Sequence, residues 1–191
     1  RMSGKIKKLV SLGLKPFIDR DEAIMEKWQK LESETDFLKE NINKYLVSVS
    51  SQNSDEQQLN EAFQIMYVVK ELEMIGDIIN TNIRHQAVKW LATDAQFSDE
   101  GKAELLIMLE KAMTQISRSM EVFHDVNLEK AEHVCQKFKK YAELAEDFEK
   151  HHYERLVGNN EKTLTSSETH LELLGLFNAI NRHATNIARI L

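Results

Sequence analysis

One proline and six glycines in 191 residues leave this chain few ways to turn sharply. Strands joined by hairpins draw on Gly, Asn-Gly and Pro at nearly every reversal, so a β-sandwich or a Gly-lined phosphate loop is excluded. Apolar residues instead recur three and four positions apart, the mark of amphipathic helices. Ile24, Trp28, Leu31, Leu38, Ile42 and Leu46 form one such stripe, and Thr35 lies on it. A second stripe runs through Leu106, Leu109, Met113, Ile116, Met120 and Phe123, and a third through Val134, Phe138, Tyr141, Ala145, Phe148 and His152. The expected fold is all-α, with five long helices over roughly 20–48, 54–92, 98–124, 127–157 and 166–190. Short connections between such helices make neighbours antiparallel, which gives two tandem helical bundles.

Helix boundaries are marked by polar residues. Asp19-Arg-Asp-Glu22, Ser54-Asp-Glu-Gln57 and Thr165-Ser-Ser-Glu168 read as capping boxes, in which the first and fourth side chains satisfy orphan amides. Ser98, with Asp99 and Glu100 behind it, reads as an N-cap, Asp125 or Asn127 opens the next helix, and Gly158 closes it.

Composition removes several classes of function. A net charge of -6 argues against a general nucleic-acid binder, which needs a basic footprint. Leu105-Leu-Ile-Met-Leu109 is the densest apolar run and falls far short of the ~20 residues of a membrane span. The single Cys135 excludes an internal disulfide and favours a reducing compartment. No signal peptide follows the basic Lys5-Ile-Lys-Lys8 run. Arg1 is not a start residue, so the chain is expected to carry a tag ahead of Met2 or to be excised from something longer. The Lys5, Lys7, Lys8 and Lys15 cluster reads as a solvated helix end, or as a contact for anionic lipid or the cytosolic side of a transporter.

The pattern breaks in Glu71-Leu-Glu-Met-Ile-Gly-Asp-Ile-Ile-Asn80. Glu73, Asp77, Asn80 and Arg84 share one side of the helix, in a row that is apolar at Leu59, Met66 and Leu91. Buried carboxylates in such a row need a proton, a cation or a metal. Gly76 costs about 1 kcal/mol relative to Ala inside a helix, so close approach by a neighbour is expected there. Glu32 and Asp36 repeat the spacing on the first helix. Four carboxylates from two helices suit a hard or borderline cation. The competing reading is a set of surface acids paired with Lys39, Lys70 or Arg84. Glu121/His124 and Glu149/His152 have the i, i+3 spacing of carboxylate-bridged di-iron bundles. Glu121 faces away from the stripe that holds Phe123, however, so that pair does not point inward.

Glu73-Met-Ile-Gly-Asp77 resembles the ExxxD signature of PhoU proteins, commonly ERIGD, with Met74 in place of the arginine. Glu32 and Asp36 match the signature on the preceding helix, and His183-Ala-Thr-Asn-Ile-Ala188 is similar to the family's HATNIA run. His152-Tyr-Glu-Arg-Leu156 resembles the His-x-x-Arg-Leu of PhoU-like domains attached to sodium/phosphate cotransporters. The resemblance covers about residues 20–190 in the family's order of elements. It implies two three-helix bundles and a divalent or iron-type metal held by the paired motifs. Asn178, Arg182, Phe138 and Ala142 occupy the corresponding positions of the second repeat, so only Glu32, Asp36, Glu73 and Asp77 remain as metal ligands.

The division that follows is a basic lead-in over 1–18, a partly truncated first repeat over 19–96 and a second repeat over 97–191. The implied function is non-catalytic: regulation of a sodium/phosphate cotransporter at the cytoplasmic face of the plasma membrane. Its partner would be a transporter domain in the same or another chain, with a homodimer as a further arrangement. The alternatives are a free-standing PhoU-type adaptor for a phosphate ABC transporter and sensor kinase, and a carboxylate-bridged metalloenzyme.

Overall fold

The computed structural model describes residues 1–50, 55–158 and 160–191. Helices α1 (Met2–Ser11) and α2 (Lys15–Ile18) precede α3 (Ile24–Ser50) and α4 (Glu56–Asp77). A π-helical turn, Ile78–Ile83, joins α4 to α5 (Arg84–Leu91), and α6 (Asp99–Asp125), α7 (Leu128–Val157) and α8 (Glu161–Arg189) complete the chain. No strand occurs among the described residues, as the scarcity of turn residues requires.

Two three-helix bundles result, α1/α3/α4 and α6/α7/α8, joined along α4 and α8 and where α1 meets α6. Residues 1–18, expected as a lead-in, are folded into the first bundle. Ile6, Leu9 and Val10 of α1 are fully buried, and Phe17 of α2 is nearly so. The helix that a truncated repeat would lack is supplied by α1. It read as weakly apolar because Lys5, Lys7 and Lys8 interleave its buried face.

Gly76 meets its expectation: a Cβ there would sit 3.1 Å from Cδ1 of Ile6, so its hydrogen lets α1 approach α4 closely. Phe17, Trp90 and Phe97 cluster under the α5–α6 connection, with Trp90 and Phe97 stacked at 4.3 Å. Arg20 ties that connection down by donating to the carbonyls of Trp90, Thr93 and Ala95. Apolar side chains of both bundles belong to one continuous core, from Ile6 and Trp28 to Phe177 and Ile187.

The caps divide. Ser98 and Asn127 accept from the amides of Gly101 and Lys130 as expected. Asp125 ends α6, and α3 starts at Ile24 behind an Asp21 contact to the Ala23 amide rather than from Asp19. Ser54 lies outside the described residues, and Asp55 caps α4. The box at Thr165 is not used. Asn160 caps α8, and the Thr165 and Ser166 hydroxyls donate back to carbonyls of the preceding turn, the usual alternative for a hydroxyl inside a helix.

In α6 the expected stripe packs on the core, with Ile116 buried and Leu109, Met113, Met120 and Phe123 half-buried against it, and the buried face extends to one side of that stripe. Leu105, Met108, Ala112, Gln115, Ser119 and Val122 are buried, whereas Leu106 is exposed. Glu104, Gln115 and Ser119 on that side gave it the look of a surface.

Candidate functional site: the seam between the bundles

The four predicted ligands do not converge. Glu73 is half-buried and ion-paired with Lys39 of α3, Glu32 is half-buried, and Asp36 and Asp77 are exposed. The row that holds Glu73 is apolar but outward-facing, with Leu59 and Met66 45% and 46% exposed. The sequence shows an apolar row but not which side of the helix the second bundle covers. Among the described residues no three His, Cys, Asp or Glu side chains are grouped to hold a metal ion. Lys39 supplies the positive charge beside Glu73. Of the two readings of this row, the ion pair is the one the geometry contains.

The buried carboxylate of this segment is Glu71, two residues away on the side of α4 that faces α8. Nδ1 of His183 lies 2.8 Å from its Oε2, and Nδ2 of Asn186 donates to the same oxygen at 3.1 Å. Both come from His183-Ala-Thr-Asn-Ile-Ala188, one turn apart on α8, so a single carboxylate meets two donors across the seam. Burial raises the Tyr67 phenol above its ordinary pKa, helped by the charge and hydrogen bond of Glu71 one turn below. Arg189 donates to Oδ1 of Asn186 at 2.9 Å and lies 5.7 Å over the Phe138 ring. The small residues of the same run, Ala184, Thr185 and Ala188, are buried on the opposite side of α8. About two turns beyond Glu71, α4 passes into the π-helical turn at Ile78, a geometry that recurs at functional positions.

A second buried polar group lies inside the second bundle. Arg155 grips Glu104 through both guanidinium nitrogens at 2.8 and 2.7 Å. His170 is 3.2 Å from the same carboxylate and 3.2 Å from the Gly101 carbonyl. Burial alone would raise the Glu104 pKa, but hydrogen bonds from His170 and Arg155 hold it below the usual carboxylate range. His152 stacks on His170 at 4.7 Å with rings 11° apart, and its Nε2 is 2.9 Å from Oγ of Ser167. Desolvation, with His170 and Arg155 beside it, lowers the His152 pKa to about 4, so the ring is neutral near pH 7. His152 and Arg155 both come from the His152-Tyr-Glu-Arg-Leu156 run. The di-iron pairs do not assemble: Glu121 binds Lys130 at the surface, His124 is exposed, and His152 is occupied by Ser167 and His170.

Neither Glu71 nor Glu104 stood out in the sequence as a site. For Glu71 the available signal was its position two residues before Glu73, on the opposite side of the helix. For Glu104 it was a charge one turn before Met108, on the side of α6 next to the expected stripe.

The fold is a double three-helix bundle whose halves are tied by a buried carboxylate. The PhoU domain model matches residues 1–84 and 105–191, and the chain belongs to that family. Over 176 residues, 92% of the chain, it is 24% identical to the proposed inorganic phosphate export protein YjbB of Salmonella typhimurium. The Escherichia coli K12 protein of the same name is 24% identical over 160 residues. The chain spans 32% and 30% of the lengths of these two relatives. Its fold matches the crystal structure of PhoU from Pseudomonas aeruginosa with a TM-score of 0.86, at 18% identity, over 99% of this chain and 89% of that one. No helix among the described residues is long and apolar enough to cross a membrane.

Proposed function

We propose that the chain is a non-catalytic regulator of phosphate transport, a PhoU-type adaptor that biases a membrane transporter between states through contacts of its helix faces. Its place of work would be the cytoplasmic side of the membrane, and its partner a transporter domain. Family membership supports the regulatory class, and the names of the relatives support phosphate as the transported species. One observation carries the mechanism: the two bundles are tied across the seam by Glu71, His183 and Asn186. A regulator needs an element with two arrangements whose balance a partner shifts. A partner that separates α4 from α8 must give up these hydrogen bonds, and one that presses them together keeps them.

The reading as part of a sodium/phosphate cotransporter is narrower than this support. The greater length of the relatives favours a second arrangement, in which such a module is joined to a transport moiety. Radiolabelled phosphate flux in cells lacking their own PhoU-type regulator tests both. The wild-type chain supplied in trans is expected to change flux several-fold, and Glu71→Ala to change it less. Flux altered only when the chain is fused to a transporter selects the joined arrangement. Flux indifferent to the chain in both formats overturns the regulatory reading.

A further inference from the structure

An open groove of about 840 Å³ lies between α1 and α3, and none of its lining residues belongs to α4 or α8. Its walls carry Lys5 and Lys8 from α1 and Lys30 from α3, with Arg1 at the end. The one acid in the lining, Glu34, is neutralised by Lys5 at 2.6 Å. A groove with a positive surplus stands out on a chain of net charge -6. Its apolar element is Phe37, 65% exposed on the α3 wall, with half-buried Leu38 beside it.

Gly4 adds a separate observation. It sits in the first turn of α1. A Cβ added there would meet nothing within 4 Å, so no internal packing accounts for it. It lines the groove, where a side chain would project into the open space. Gly76 is the contrast, since its Cβ would press on Ile6.

We infer that the α1–α3 groove is a docking site for an acidic amphipathic segment of a partner protein, which sets an apolar side chain against Phe37 over Gly4 and its carboxylates against Lys8 and Lys30. Charge complementarity fixes the sign of the partner. The concave shape and the exposed aromatic wall favour a peptide segment over a flat anionic membrane surface. The free length of α1, ten residues, accommodates about three turns of a docked helix. This inference goes beyond the regulatory reading and does not depend on it, because it concerns a surface and not phosphate flux.

Fluorescence anisotropy on the full chain tests it, using labelled peptides of about five helical turns. One probe carries Glu on one face and Leu and Phe on the other, and its counterpart carries Lys in place of Glu. Saturable binding of the acidic peptide is expected, about tenfold tighter than the basic one and weakened by salt. Gly4→Leu, Phe37→Ala and the pair Lys8→Glu/Lys30→Glu should each weaken it about tenfold. Gly4→Ala serves as the folding control and should melt at or above the wild-type temperature. Several results overturn the inference: no binding, binding indifferent to Gly4→Leu and Phe37→Ala, self-association through this face, or capture by phosphatidylglycerol vesicles without peptide binding.

Discussion

At the scale of single residues, two buried carboxylates organise the molecule, and each is met by donors from another helix. Glu71 illustrates the asymmetry of buried hydrogen bonds: the pair adds little net, but an abandoned partner is expensive. Glu71→Ala strands His183 and Asn186 at the seam and is expected to cost about 2 kcal/mol in urea unfolding. A cycle with His183→Ala should return a coupling of about 1 kcal/mol, since the residues touch. His152 makes the stability depend on pH. Its folded pKa of about 4 lies below the ordinary histidine value, so its contribution is complete above about pH 6.5 and is lost as pH falls toward 4. Glu104, held below the usual carboxylate range by His170 and Arg155, adds loss in the same direction. Urea midpoints taken at neutral and mildly acid pH should therefore drop steeply in the wild type and less in His152→Gln.

At the scale of elements, breaks in regularity are informative. The turn between α6 and α7 places Val126 in the left-handed region, with φ of 49°, where the β-branched side chain is strained and 67% exposed. Helices usually end there on glycine or asparagine. Val126→Gly is expected to raise thermal stability by about 1 kcal/mol, because it relieves strain without removing a buried contact. Gly158 closes α7 as expected, with φ of -72°, a conformation open to other residues as well. Periodicity located the long helices correctly because burial on one face leaves a record every three or four residues. It did not show how far the buried face of α6 extends, because part of that face is polar: Gln115 donates to the Thr185 hydroxyl and to the Val134 carbonyl. It also missed the π-helical turn, because nothing in Ile78-Ile-Asn-Thr-Asn-Ile83 changes composition to announce one.

At the scale of the whole molecule, α1 joins the halves. It buries Met2, Ile6, Leu9 and Val10 between α3, α4 and α6. Four such side chains are worth about 6–12 kcal/mol, at about 1.5–3 kcal/mol each, comparable to the full stability of an ordinary domain. Deletion of residues 1–18 should therefore abolish cooperative unfolding, read by circular dichroism and denaturant titration, and not trim a dispensable leader. The sequence by itself determined that this chain is all-helical, that it forms long antiparallel pairs, and that Gly76 marks a close approach. Those properties depend on local spacing and on the supply of turn residues. Which face of α4 is covered, which carboxylate becomes buried, and what α1 is for were decided only in the tertiary structure. The reason is geometric: Glu71 and Glu73 are equal in chemistry and two residues apart. They point to opposite sides of one helix, and only the docking of α8 against one side separates a buried hydrogen-bonded tie from a surface ion pair.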